Sequence, residues 1–252
     1  MTTKNYSRVN LIIRSLIFST CSIISMLIFS FVCLASLLVP LSYRHRSIRC
    51  YLRFYMWLLA TVCHIRYEVE GLEHVPSDRV GVVLCKHSSA WETFFMPLVF
   101  HDPAVIAKRE LSWIPFFGWG LLSSEPILIN RSDKTSAMQQ IINKGKRALD
   151  KGRWILVFPE GTRVPFGQTG KYHLGGARLA VANHVPVIPV AHNAGYFWPK
   201  RGFIKRPGTV KVVIGPLMET SGRTPDEVMQ SAKVWIDSTV SRISSFVNEP
   251  AG

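Results

Sequence analysis

The chain reads VGVVLC at residues 80–85 and KHSSAWE at residues 86–92. The first six residues form a short apolar run with β-branched side chains, which predicts a buried strand. The polar residues that follow are typical of a loop at the carboxyl end of a strand, and Ser88 and Ser89 are good residues to begin a helix. The stretch therefore predicts a strand, a loop that contains His87, and a helix whose first turn contains Glu92.

Strands and helices alternate in the rest of the chain from residue 66 onward. Six more short runs have strand character, and the segments between them have helical patterns, among them a strong helix start at residues 224–227. This alternation predicts an α/β fold with a mixed, mostly parallel sheet flanked by helices. The additional predicted strands are residues 66–70, 104–107, 127–129, 154–158, 185–190 and 210–214, and the predicted helices include 132–151 and 175–183.

A long uncharged segment precedes this domain. Residues 15–42 contain no charged side chain, and as a helix they would extend about 42 Å, more than a bilayer core of about 30 Å requires. The apolar stretch 54–65 is too short to cross, and Arg49 and Arg53 lie one turn apart before it, as on an interfacial helix. We predict a membrane-embedded two-helix anchor at residues 1–65, with helices at 15–42 and about 46–65, and a catalytic domain at residues 66–252.

Two alternatives concern this anchor. A cleaved signal peptide is disfavoured because the apolar region is long, no small-residue cleavage site follows, and four arginines come next. The first helix either spans the bilayer or forms a hairpin with the second that enters one leaflet. Positive charge flanks both ends of the first helix, which fits the hairpin slightly better.

Composition limits the classes of partner. The 252 residues carry a net charge of +14, which favours an acidic partner. No zinc-finger spacing and no basic run interleaved with aromatic residues occurs, so a phospholipid bilayer or a phosphorylated substrate is expected and nucleic acid is not. The five cysteines lie in the first third of the chain without close pairs, which predicts free thiols. No metal site is predicted.

The pair His87 and Glu92 suggests acid–base chemistry. Residues five apart point about 140° from each other on a regular helix, so the two side chains meet only if His87 lies in the loop and Glu92 in the first turn. A carboxylate on one ring nitrogen would leave the other free as a general base. The alternative is a capping box of Ser89 and Glu92, and the two roles are compatible. The remaining histidines, including His173, His184 and His192, are expected to be polar loop or surface groups.

A second motif reads FPEGTR at residues 158–163, after the strand predicted at 154–158. Gly161 permits close backbone approach to a ligand, Thr162 offers a hydroxyl, and Arg163 can bind phosphate through two hydrogen bonds. A strand-end turn with solvated charges is the alternative. Lys108 and Arg131 also follow predicted strands, so we expect these loops to converge on one site.

These blocks together resemble the glycerophospholipid acyltransferase family that contains the 1-acylglycerol-3-phosphate acyltransferases. The resemblance covers roughly residues 60–220. The 158–163 block matches completely, residues 127–131 are similar to a block that normally ends in Asp-Arg, and residues 185–190 are similar to the last, proline-containing block.

The resemblance implies direct acyl transfer from acyl-CoA or acyl carrier protein to a lysophospholipid, with no covalent acyl-enzyme and no cofactor beyond the thioester co-substrate. It implies His87 as the base and Glu92 as its orienter. The implied substrate-binding residues are Lys108, Arg131, Glu160, Gly161, Thr162 and Arg163. It places the protein at a cell membrane, such as a bacterial inner membrane, with the catalytic domain on the cytoplasmic side.

Three positions depart from the family pattern. Glu92 stands where Asp is usual, Lys86 where Asn is usual, and Asn130 where Asp is usual, which bears on acceptor preference. Another lysophospholipid, a lyso-aminolipid or glycerol 3-phosphate is therefore an alternative acceptor. A non-catalytic membrane lipid-binding protein is an alternative of another class, whereas a serine hydrolase is disfavoured because no Gly-x-Ser-x-Gly motif occurs. The acyl donor, chain length and oligomeric state stay open.

Overall fold

The computed structural model describes residues 6–130 and 134–245. Seven strands form one sheet in the order β1-β7-β6-β2-β5-β3-β4, and every neighbouring pair is parallel except β6 and β7. All seven predicted strands are present, with ends that differ by at most two residues, and the predicted fold class is confirmed. The strands are β1 (Ile65–Glu70), β2 (Val82–Cys85), β3 (Ala104–Lys108), β4 (Ile127–Ile129), β5 (Ile155–Val157), β6 (Val187–His192) and β7 (Gly208–Ile214).

Helices cover both faces of this sheet. On one face α2, α3 and α7 pack over a core that contains Trp91 and Phe95, and on the other face α5, α6 and α8 pack over a second core. Both strand faces are therefore buried, which explains why the central strands read as continuous apolar runs. The helices are α1 (Arg8–Ser36), α2 (Leu41–Val62), α3 (Trp91–Val99), α4 (Phe117–Ser123), α5 (Lys134–Asp150), α6 (Gly175–Ala182), α7 (Ala194–Phe197) and α8 (Pro225–Ser244).

The ends of two helices test the capping predictions. At α8 the capping box is complete: the Thr224 hydroxyl accepts from the Glu227 N–H, and the Glu227 carboxylate accepts from the Thr224 N–H at 2.7 Å. At α3 the prediction was wrong by one or two residues, because the helix begins at Trp91 with Ala90 as its N-cap. The Ser89 Oγ accepts from the Trp91 N–H at 3.2 Å and donates to the Trp198 carbonyl at 2.7 Å, which ties this loop to the segment after α7.

The first two helices form an antiparallel pair. The Arg14 guanidinium donates to the Val62 carbonyl at 2.9 Å, and the rings of Phe29 and Tyr51 stack with centroids 4.1 Å apart. The long helix begins at Arg8 and ends at Ser36, whereas residues 15–42 were predicted. It ends early because Pro40 disfavours helical geometry in the residue before it and then starts α2.

By length and composition α1 can cross a membrane, with a mean hydropathy of 2.3 over its most apolar window. Most of its large apolar side chains are exposed, and the exposed side of α2 combines Arg46 and Arg53 with Phe54 and Trp57. The pair is thus compatible with membrane association.

Two other arginines of α2 bind the sheet domain. Arg44 pairs with Glu125 at 3.2 Å, and Arg49 pairs with Asp102. Because α2 also packs against α3 and β1, the helix pair is joined to the sheet domain by both apolar and ionic contacts.

Candidate active site

The predicted site residues converge at the carboxyl ends of adjacent parallel strands. His87 follows β2, the 158–163 block follows β5, and Lys108 ends β3, in a sheet where β5 lies between β2 and β3. Neighbouring parallel strands end at the same edge, so residues far apart in sequence are brought together there. Arg131 lies outside the described residues.

The side chains of His87 and Glu92 are in direct contact. Nδ1 of His87 lies 2.8 Å from Oε1 of Glu92, and the same oxygen accepts from the backbone N–H groups of Ser88 at 2.9 Å and Ser89 at 2.8 Å. An oxygen that already accepts from two N–H groups carries no proton to donate, so the imidazole donates its Nδ1–H to it. The lone pair of the neutral ring is therefore on Nε2, the nitrogen a general base needs.

Glu92 makes the contacts that both suggested roles require. Its Oε1 lies against His87 Nδ1, and it also accepts from the Ser89 N–H at the start of α3, which is half of a capping box. The side chain is fully buried. Burial by itself raises the pKa of this carboxyl, but the imidazoles of His192 and His87 and the Ser89 N–H bring the pKa below its ordinary value.

His192 is a correction to the sequence prediction. It was expected at the surface or in a polar loop, but it ends β6 and is 1 % exposed, with Nε2 lying 3.8 Å from Oε2 of Glu92. Its Nε2–H donates to the Lys86 carbonyl at 2.8 Å, and its Nδ1 accepts from the Ala194 N–H. Burial lowers the pKa of His192, so a neutral ring with a fixed tautomer lies beside Oε2 of Glu92 without a hydrogen bond to it.

Glu160 joins the two motifs. One carboxylate oxygen pairs with the buried Lys86 ammonium, and the other accepts from the His87 backbone N–H at 2.7 Å. Its carboxylate, in a side chain that is fully buried, therefore holds the loop of His87 in place. Burial raises the pKa of Glu160 above its ordinary value, although the charge of Lys86 and the N–H of His87 oppose this.

Phe158 and residues 161–163 of the 158–163 block face open space. Phe158 stacks on the His87 ring with centroids 4.2 Å apart, and Gly161 has a φ of +66°, a conformation that suits glycine. Thr162 is exposed, and Arg163 makes no hydrogen bond or ion pair with any residue that the structure describes. Arg163 is therefore a cation available to a ligand.

A cavity of about 790 Å³ begins beside His87. It runs along β3 between Lys108 and Asp102, a distance of about 20 Å at the rise of an extended strand, and α1, α2, α3 and α4 enclose it. Its walls are mainly apolar. The cavity is lined by residues from each of three predicted segments: His87, Lys108, Phe158, Gly161, Thr162 and Arg163.

The aromatic segment 111–122 has two environments. Leu111, Phe116 and Phe117 line the cavity, whereas Trp113 and Ile114 project outward and are 67 % and 46 % exposed. One short segment thus supplies both cavity wall and an apolar surface next to α1.

Two cationic residues were missed. Lys200 and Arg201 follow α7 and line the same cavity as Arg163. They stand in a segment rich in Pro and Gly that has neither strand nor helix periodicity, and they follow no predicted strand. The only signal in the sequence is that two positively charged residues are adjacent.

The arrangement is suited to a proton transfer at an apolar–polar boundary. Nε2 of His87 stands at the start of a long apolar cavity, and four cations, Lys108, Arg163, Lys200 and Arg201, line the same space. Such a site can deprotonate a hydroxyl in a molecule that has an anionic group and an apolar chain.

Comparison with known proteins agrees with this chemistry. Residues 66–193 match the family model described as Acyltransferase. A 1-acyl-sn-glycerol-3-phosphate acyltransferase from Pseudomonas aeruginosa is 46% identical over 211 residues, which cover 82% of each chain. The alpha form of the same enzyme from Mus musculus is 33% identical over 167 residues, covering 65% of this chain and 59% of the mouse protein.

The fold also has a solved relative. The crystal structure of the 1-acyl-sn-glycerophosphate acyltransferase PlsC from Thermotoga maritima superposes with a TM-score of 0.75 over 97% of this chain and 99% of that chain, at 24% sequence identity, which shows a common fold. Together the family match over the sheet domain and the identity to the Pseudomonas enzyme show that this chain belongs to the acyltransferase family of the 1-acyl-sn-glycerol-3-phosphate acyltransferases.

Proposed function

We propose that this protein transfers a fatty acyl chain from a thioester donor to the free sn-2 hydroxyl of 1-acylglycerol 3-phosphate and so forms phosphatidic acid. The observation that carries the proposal is the His87 ring, with its lone pair on Nε2, at the start of an apolar cavity that Arg163 also lines. The names of the relatives support the acceptor, since lysophosphatidic acid is the substrate in their names.

His87 and Glu92 would carry the chemistry. Nε2 of His87 takes the proton of the sn-2 hydroxyl while the oxygen attacks the thioester carbonyl. The imidazolium that forms keeps its Nδ1–H on Glu92, whose negative charge stabilises it. When the tetrahedral intermediate collapses, the carbon–sulfur bond breaks and Nε2 returns the proton to the thiolate. The products are the ester and a free thiol, and His87 is again neutral.

The phosphate would be held by cations. Arg163 has no partner among the described residues, and Lys108 ends β3 at the same cavity. A guanidinium binds phosphate through two parallel hydrogen bonds, which fixes orientation as well as position. Gly161 and Thr162 would shape this place, and Glu160 would act by positioning His87. Arg131 remains a predicted phosphate ligand.

The apolar cavity and the helix pair would handle the lipid. The cavity has the length and the lining for a fatty acyl chain, and its walls include residues of α1 and α2. We propose that residues 1–65 anchor the protein at a cell membrane and residues 66–252 form the catalytic domain on the cytoplasmic side. A lipid acceptor could then enter without leaving the bilayer surface.

The test is thiol release by the full chain in detergent, with oleoyl-CoA and lysophosphatidic acid. His87→Asn should lower kcat by about 10²–10⁴ because the general base is lost, and it should leave the melting temperature near that of the wild type. The matched control is His184→Asn, at an exposed histidine with a φ of +54° that suits Asn.

Either of two outcomes would reject the proposal. Wild-type turnover by His87→Asn would remove His87 from the reaction. The protein could also bind lipid but release no thiol from oleoyl-CoA or oleoyl acyl carrier protein with any lysolipid acceptor. That result would indicate a non-catalytic lipid-binding protein.

A further inference from the structure

A second cavity opens on the surface beside the first. It is a groove of about 580 Å³ between the loop after the 158–163 block and the segment that contains α7. Its lining combines basic, aromatic and small residues and includes no carboxylate. The residues that matter most here are Phe166, Gly195, Tyr196, Lys200, Arg201 and Arg206.

The groove is continuous with the candidate active site. Lys200 and Arg201 line both cavities. On the floor of the groove, Gly195 packs so closely on Ser88 that a Cβ at position 195 would lie 2.9 Å from the Ser88 side chain. Ser88 is next to His87, so a molecule whose reacting group is at His87 can extend into this groove.

Three cations give the groove its charge. Lys200 and Arg201 form no ion pair with any residue within 6–130 or 134–245. Arg206 donates to the Tyr196 carbonyl at 2.9 Å, and its guanidinium lies 5.4 Å from the centre of the Tyr196 ring. Arg206 is thus held at the groove while most of its N–H donors remain available to phosphate oxygens.

Two aromatic rings add an apolar surface. Phe166 and Tyr196 lie with centroids 5.5 Å apart and planes tilted by 59°. Both are half-buried, so each presents part of its ring to the groove. Cations beside aromatic rings form the combination that binds phosphates and stacks a nucleobase.

We propose that this groove binds the adenine nucleotide of an acyl-CoA donor. The inference rests on the proposed function, because it assumes a thioester at His87 with its acyl chain in the apolar cavity. The phosphates then lie against Lys200, Arg201 and Arg206, and the adenine lies against Phe166 and Tyr196. An acyl carrier protein would present a convex acidic surface. Such a surface could pair with exposed cations, but it would not fill a concave groove lined by aromatic rings.

The first experiment measures binding without turnover. CoA without an acyl group, and adenosine 3′,5′-bisphosphate, are titrated into the detergent-solubilised full chain by calorimetry. The double variant Arg201→Gln/Arg206→Gln and the single variant Phe166→Leu should each weaken binding of both compounds roughly tenfold or more. Arg147→Gln, which removes the same charge from the exposed side of α5, should leave the Kd unchanged.

The second experiment compares two donors. Oleoyl-CoA and S-oleoyl pantetheine share the reacting thioester, but the second lacks the phosphates and the adenine. The ratio of kcat/KM for the two donors should fall roughly tenfold in Arg206→Gln and in Phe166→Leu, and Arg147→Gln should keep the wild-type ratio.

The outcomes separate the groove from the reaction. If CoA does not bind at millimolar concentration, or binds all variants equally, the groove has another use and the proposal fails while the acyl transfer can stand. Turnover with oleoyl acyl carrier protein but not with oleoyl-CoA would also overturn the nucleotide proposal. So would variants that bind phosphatidylglycerol vesicles more weakly but keep the wild-type affinity for CoA. The protein could also bind CoA, lose that binding in the variants, and yet transfer no acyl group. That result would support CoA binding in the groove and reject the proposed function.

Discussion

Glu92→Asp tests whether the contact with His87 depends on side-chain length. The substitution keeps the charge but shortens the side chain by one carbon–carbon bond, about 1.5 Å. Oε1 now accepts from three N–H groups at 2.8–2.9 Å, and a carboxylate withdrawn by that amount would lie about 4 Å from them, beyond hydrogen-bond distance. The backbone cannot readily follow, because Trp91 and Met96 on the same helix are fully buried.

The lost hydrogen bonds predict the size of the change in kcat and in the free energy of unfolding. A hydrogen bond to a charged group contributes about 1.5–3 kcal/mol, and the bond from Nδ1 is the one that stabilises the imidazolium as it forms. We expect kcat to fall about 10- to 100-fold with little change in KM for either substrate. The buried Ser88 and Ser89 N–H groups lose their acceptor as well, so the free energy of unfolding should fall by about 2–4 kcal/mol.

The assay is thiol release under saturating oleoyl-CoA and lysophosphatidic acid, with melting temperature measured on the same samples. Glu73→Asp, the same shortening at an exposed glutamate, is the control and should match the wild type in both measurements. Wild-type kcat and stability for Glu92→Asp would refute the reasoning, since they would mean that the loop adjusts to the shorter carboxylate.

Three further predictions follow from the same contacts. Arg163→Gln should raise KM for lysophosphatidic acid roughly tenfold or more, without the same effect on monoacylglycerol, which lacks the phosphate; equal effects on both acceptors would contradict the phosphate role. For His192 burial lowers the folded pKa, so the unfolded chain binds an extra proton below about pH 6.5 and stability falls with falling pH. His192→Gln should remove a slope of up to about 1.4 kcal/mol per pH unit, measured by urea unfolding between pH 7 and pH 5, and an unchanged slope would argue against it. Lys86→Met should lower the free energy of unfolding by about 3–5 kcal/mol because it leaves Glu160 buried without its cation, and adding Glu160→Gln should recover part of that loss in the same measurement.

The sequence was sufficient where local pattern determines structure. The central strands β2, β5 and β6 were predictable because a strand buried on both faces needs a short apolar run. The contact of His87 with Glu92 was predictable because both lie at one strand-to-helix junction. The start of α3 was misplaced by one or two residues. The Ser89 Oγ accepts from the Trp91 N–H, but its hydroxyl also donates to Trp198, more than a hundred residues away. A propensity for helix starts cannot include such a partner.

Burial that depends on remote elements was not predictable. His192 looked like a polar residue near the end of a strand, yet its ring lies 6.2 Å from the Trp91 ring, on the α3 face of the sheet, and is buried next to Glu92. Lys200 and Arg201 reach the candidate active site because the segment after α7 lies against the loop of Ser88, which no periodicity in either stretch indicates. The missed residues are those whose position is set by tertiary packing alone.

The lysine at position 86 contacts Glu160 and does not line the cavity. Lys86 stands where the family usually has Asn, and it was expected to bear on the choice of acceptor. Its side chain is 4 % exposed and points to Glu160 and the Gln168 carbonyl, and it does not line the cavity that begins at His87. A neutral Asn could not neutralise Glu160, whose second oxygen binds the His87 N–H. We therefore expect Lys86 to affect the acceptor only through the position of His87, and we propose that the cations lining the cavity, Arg163 first among them, bind the phosphate directly.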